Sequence, residues 1–150
     1  MKELYELGIV FRGFILVNHS FMELPMQNDM KEKNDLRGAF ISAISSFAET
    51  AFNKNSLEYL ESNKLIFIFK LAEIKSTDNG NKEPLILYGL LDKKKKNPDK
   101  IVKKFLEKSQ IILESFAKKY EGTDFTELDQ FANFKENLKN SFYKAPDSNF

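Results

Sequence analysis

Residues 65–72, Leu-Ile-Phe-Ile-Phe-Lys-Leu-Ala, and 84–91, Pro-Leu-Ile-Leu-Tyr-Gly-Leu-Leu, decide the fold. A strand with one wet face alternates apolar and polar residues. These two runs are apolar at nearly every position, which predicts strands covered on both sides. The sheet that contains them therefore needs helices on both faces. Between them, Ser76-Thr-Asp-Asn-Gly-Asn-Lys-Glu83 has the composition of a hairpin loop.

Toward the N-terminus, Leu4–Phe11 and Phe14–Phe21 are rich in aromatic and β-branched residues and read as a hairpin. Arg12-Gly13 forms its turn, where glycine supplies a positive φ. Leu57 to Glu61 alternates apolar and charged residues like a half-covered edge strand. Toward the C-terminus, Asn97-Pro98 predicts an N-cap with proline at the first helical position. The series Ile101, Val102, Phe105, Ile112, Leu113, Phe116 and Tyr120 then keeps helical period as far as a stop at Gly122. Asp124 with Glu127 resembles a capping box for a last helix whose apolar face is Leu128, Phe131, Phe134, Leu138 and Phe142. The expected core contains Phe40, Phe47, Phe67, Phe69, Phe105 and Phe116. Residues 1–144 form one domain in this reading, and 145–150 are a frayed tail.

A further helix is predicted from Leu36 to Phe52, capped by Asp35 and roughly 26 Å long. Leu36, Phe40, Ala43, Ile44, Phe47 and Ala51 share one face at about 100° per residue. The opposite face reads Gly38, Ser42, Ser45, Glu49, with Ile41, Ala48 and Phe52 as an apolar shoulder. Surface helices normally carry Lys and Glu there, as the helix after Pro98 does with Lys100, Lys103, Lys104 and Glu107. Small residues let another backbone approach and lose little side-chain entropy on docking. Gly38, Ile41, Ser42, Ser45, Glu49 and Phe52 are therefore the expected protein interface.

At 150 residues the chain has the length of one domain, and 42% apolar residues with 15 Phe suit a packed core. It contains no cysteine, which removes disulfides and thiolate metal ligation and fits a reducing, cytoplasmic compartment. Neither a signal peptide nor an apolar run of membrane-spanning length is legible. The net charge of +1 gives no global field for nucleic acid. The charge is unevenly placed: residues 92–121 carry +5 and the segments on either side carry −2 each. Lys93, Lys94, Lys95 and Lys96 are the densest basic run, a solvated loop or a candidate contact with an anionic surface.

The element order strand, strand, helix, three strands, two helices, at this length, resembles the longin domain. That family is the small α/β module of membrane-traffic proteins and GTPase-regulating complexes, and it includes simpler archaeal relatives. The resemblance covers about residues 3–143. It rests on that order and on Asp35-Leu-Arg-Gly-Ala-Phe-Ile-Ser-Ala-Ile-Ser-Ser-Phe-Ala-Glu, which looks like the first helix of such proteins. It implies an α+β fold: a five-stranded, mainly antiparallel sheet with one helix on one face and two on the other. It also implies work by binding, through dimerisation, pairing with another longin or roadblock subunit, or docking a small GTPase. No heptad-bearing segment or anchor of the SNARE type follows residue 150.

The residues themselves point to no reaction. His19 is the only histidine and lies in a strand pattern without an adjacent partner. The carboxylates are scattered rather than spaced as calcium ligands, and no phosphate-cradling glycine motif occurs among six separated glycines. The reading is a non-enzymatic binding module without cofactor or metal. A profilin-like actin-binding domain, or a sensory domain for a small ligand, is the alternative.

Overall fold

A computed structural model describes residues 4–22, 59–61, 65–77, 79–92 and 98–142. Within them the protein is α+β. Strands β1 (Leu4–Phe11), β2 (Phe14–Ser20), β4 (Leu65–Ser76) and β5 (Asn79–Asp92) form an open antiparallel sheet in the order β2-β1-β5-β4. A three-residue strand, β3 (Tyr59–Glu61), pairs with Ile66–Ile68 at the outer side of β4. Helix α1 (Asp99–Tyr120) and a shorter helix α2 (Lys135–Ser141) follow, with a 3-10 segment, Leu128–Phe134, leading directly into α2.

The turn between β1 and β2 needs two residues with positive φ, and both have it: Arg12 at 53° and Gly13 at 80°. This twist matches that of the flanking strands. Farther along, Ile9 pairs with Val17 and Val10 with Ile15, so Leu16 is an extra residue and the hairpin carries a bulge. The expected eight-residue loop after β4 is much shorter. Ser76 already pairs with Asn79, because strand pairing continues through the polar residues on both sides of the turn.

Both long strands are covered on two faces. On the first face, Leu7, Ile9, Ile68, Leu85 and Leu87 join one cluster with Val102, Phe105, Leu113, Phe116, Phe131, Phe134, Leu138 and Phe142 of the helical layer. On the second face, Val10, Phe69, Ile86 and Tyr88 form a separate cluster, joined by the partly buried Ile15, Phe67 and Leu71. Phe67 is thus less buried than expected, while Phe69, Phe105 and Phe116 are fully buried. Phe40 and Phe47, with the whole predicted helix 36–52, lie outside the described residues, as does the 145–150 tail.

The helical layer is held by rings. Phe116 stacks on Phe131 with centroids 5.6 Å apart and meets Phe134 edge-on at 5.1 Å. Phe105 stacks on Phe142 at 5.3 Å. Helix α1 begins one residue later than expected, with Pro98 in the N-cap position, and its buried stripe matches the predicted period except that Ile101 is only partly covered. Gly122 at φ 83° ends it, and its N–H donates to the Lys75 carbonyl at 2.8 Å, tying the helix end to the β4–β5 hairpin. The expected capping box is absent. Asp124 instead accepts from the Thr126 amide at 2.9 Å and its hydroxyl at 2.6 Å, a local turn preceding the 3-10 segment. Leu128, expected in the core, is 49% exposed as the first residue of the 3-10 segment, whereas Phe131 and Phe134 are buried.

One glycine sets the distance between layers. A Cβ on Gly89 would lie 2.4 Å from the Phe105 ring, so the ring rests on bare backbone toward the C-terminal end of β5. Gly89→Ala should therefore cost about 1–3 kcal/mol by overpacking, and Phe105→Ala about 3–5 kcal/mol by leaving a cavity. Because the two side chains compete for one space, the double variant Gly89→Ala/Phe105→Ala should be clearly more stable than the sum of the single losses. Urea unfolding of the four proteins measures this; strict additivity would mean the ring does not sit on Gly89.

Candidate functional site

Two charged side chains tie strands of this sheet together, Glu6 in β1 and Arg12 in the turn that follows it. Glu6 interrupts the first strand and is only 1% exposed. A buried carboxylate is costly unless hydrogen-bonded, and here it accepts a bond from the Tyr88 hydroxyl at 2.6 Å and one from the Ser20 hydroxyl at 3.4 Å. The Tyr88 ring reaches it by crossing Gly8, its strand partner. A Cβ at Gly8 would stand 2.5 Å from that ring. Glycine at residue 8 and tyrosine at residue 88 are therefore one device, which places a phenol over backbone to meet an acid inside the second face of the sheet.

At the hairpin tip, Arg12 makes a two-pronged pair with Glu83. Nε lies 2.8 Å from one carboxylate oxygen and an Nη atom 2.6 Å from the other. The same Nη donates to the Ser76 hydroxyl at 3.3 Å, and the guanidinium stands 4.9 Å from the centre of the Phe11 ring. The pair is part-exposed, so its contribution is small energetically, but the fork fixes the direction of the turn relative to β5.

Beside this tip opens an apolar groove of about 240 Å3, lined by Phe11, Phe14, Leu16, Phe125 and Leu128 with Arg12 and Thr126 at its polar edge. Phe14 is 66% exposed. A second, wider groove of about 650 Å3 runs between β4 and the first half of α1. Its charged lining is Lys70, Asp99, Lys103 and Glu107, two of each sign, so it offers no net field to a charged ligand. Among the described residues no group of three or more His, Asp or Glu side chains could hold a metal ion, and no helix is long and apolar enough to cross a membrane.

Gly38, Ile41, Ser42, Ser45, Glu49 and Phe52 lie outside the described residues, and so do Lys93, Lys94, Lys95 and Lys96. Sequence reasoning missed the Glu6–Tyr88 pair and the Arg12–Glu83 fork. For Glu6 there was a signal, a lone acid inside an apolar strand. Arg12 gave none, since its partner is 71 residues away and only the sheet register brings them together. No family model matches this chain, and no curated protein matches it.

His19 lies on the helical face, paired with Leu7, its ring edge-on to Phe21 at 4.6 Å. Burial holds its pKa below 6.5, with Lys135 and Lys139 adding to the effect and Glu136 opposing it. The unfolded chain binds a proton more readily at this residue than the folded one does. Its stabilising contribution is therefore complete above about pH 6.5, shrinks as the pH falls toward the lower folded value, and declines no further below it. His19→Gln should lose that dependence: the Tm of wild type relative to the variant should drop between pH 7.5 and pH 5, by thermal melts at both. A constant difference would mean the imidazole titrates as freely in the fold as outside it.

Proposed function

We propose that this chain is a non-enzymatic, longin-like protein-binding module. In this reading its sheet has five strands, the helix of residues 36–52 covers one face and the last two helices cover the other. It acts as a cytoplasmic subunit that dimerises, or docks a small GTPase, in a regulatory complex of the membrane-traffic type. The observation that supports this most is the burial of the second sheet face. Val10, Phe69, Ile86 and Tyr88 are at most 3% exposed, yet the described side chains packed with them all belong to the sheet. A sheet cannot bury its own face, so a third layer is needed there. Leu36 to Phe52 has the apolar stripe and the length to supply it. With that stripe turned inward, Gly38, Ser42, Ser45 and Glu49 face outward as a surface too small and too neutral to serve only solubility.

The double variant Ser42→Arg/Ser45→Arg tests the interface. It should keep the wild-type circular dichroism spectrum and abolish a dimer or GTPase complex, by bulk and charge at a close-packed contact. Light scattering after size exclusion and a binding assay with small GTPases in both nucleotide states read the outcome. A folded variant that still associates normally would place the interface elsewhere. A variant that fails to fold would mean this helix is buried on both sides.

The lysine run is a second, peripheral contact in the same reading. Each lysine near an anionic membrane contributes on the order of 1 kcal/mol. Replacing Lys93, Lys94, Lys95 and Lys96 by Glu should weaken sedimentation with phosphatidylserine vesicles and flatten its salt dependence, with thermal stability nearly unchanged. Equal vesicle binding at low salt would leave the run as a solvated loop.

A further inference from the structure

We infer that the outer edge of β2, with the apolar groove at the hairpin tip, is a docking site for an extended, uncharged segment of a partner protein. The segment adds to the sheet as one more strand and seats an apolar side chain in the groove. The inference does not rest on the longin reading.

β2 is the terminal strand of the sheet, and among the described residues nothing pairs beyond it. The Phe21 N–H donates to the Tyr5 carbonyl at 2.8 Å, which sets the alternation of the ladder. The pairs His19–Leu7 and Val17–Ile9 direct their main-chain groups toward β1, so Asn18 and Ser20 direct theirs outward. Edge strands are normally protected by lysine, other charges, proline or bulges; Phe14–Ser20 contains no Lys, Arg, Asp, Glu or Pro, and its one bulge lies at Leu16. Its bulge at Leu16 leaves Val17–Ser20 as regular strand open to a partner.

The groove specifies what arrives. Phe14 and Leu16 of the same strand line it, opposite Phe125 and Leu128, so a strand beside β2 has a pocket within reach of its alternate side chains. At about 240 Å3 it is smaller than the roughly 300–1,000 Å3 of small-molecule sites and suits a single anchor side chain. The nearest charge, Arg12, is directed to Glu83, and a charged side chain placed between these phenyl rings would lose its hydration without compensation. Phe14 and Leu128, at 66% and 49% exposure, are apolar surface that such an anchor would cover.

Selection of the full chain against a displayed library of random 12-residue peptides tests this. The enriched peptides should be uncharged, rich in β-branched residues, and share one aromatic or branched aliphatic position. A synthetic copy should bind about tenfold or more weakly to Leu128→Glu and to Phe14→Glu, both folded by circular dichroism. It should also slow amide exchange at Asn18 and Ser20, a measurement that stands even if either variant unfolds. Ser42→Arg/Ser45→Arg should leave this binding unchanged, which separates it from the helix interface. The inference is overturned if the library yields no binder, or if binding ignores both glutamate variants. Unchanged exchange at Asn18 and Ser20 overturns it as well. So does protection of those amides in the free protein by a concentration-dependent dimer, which would make a second copy the occupant.

Discussion

The contact between Gly89 and the Phe105 ring governs the rest of the fold. β5 is the inner strand that bonds to both β1 and β4, and α1 is the longest helix among the described residues, so their separation sets the spacing of the helical face. With no Cβ at residue 89, the ring reaches the backbone, and Phe142 stacks on the same ring. Phe116, Phe131 and Phe134 fill the adjacent volume in the same manner. Flat rings packed at fixed angles resist small displacements, which is how a short 3-10 segment and a seven-residue helix are held firmly on the sheet.

The second sheet face follows a different rule. There a glycine again admits a ring, Tyr88 over Gly8, but the ring carries a hydroxyl and ends on a buried carboxylate. An apolar pair of the same volume would pack as well. The polar one is directional, so it fixes the register of β1 against β5 by the geometry of a hydrogen bond. The Arg12–Glu83 fork does the same at the other end of these strands, in a more solvated setting. Both devices act on register, and register determines which side chains reach the hairpin groove.

Much of the architecture was legible in the residues. The almost continuously apolar runs at 65–72 and 84–91 announced strands covered on both sides, and both faces carry buried side chains. The hairpin at Arg12-Gly13 and the span of α1 followed from turn chemistry and helical period, which are local. The errors occurred where local signals competed. Asp124 had the spacing of a capping residue but bonds Thr126 two residues on, because an aspartate can satisfy nearby amides in a turn as readily as at a helix start. Leu128 has the spacing of a buried α-helical residue, but as the first residue of the 3-10 segment it stands at the rim of the hairpin groove.

From the chain alone came the α+β class, the four long strands, the helix after Pro98 and much of the core between them, since these depend on periodicity and on the conformational limits of a few glycines and prolines. The grooves, the forked pair and the acid beneath Tyr88 depended on tertiary structure. Each joins residues far apart in the chain, Arg12 to Glu83, Glu6 to Tyr88, Phe14 to Phe125, and no local pattern records such a meeting. Strand order decides it: placing β5 beside β1 brings residues some 80 positions apart within bonding distance, and among the described residues it leaves the outer edge of β2 unpaired.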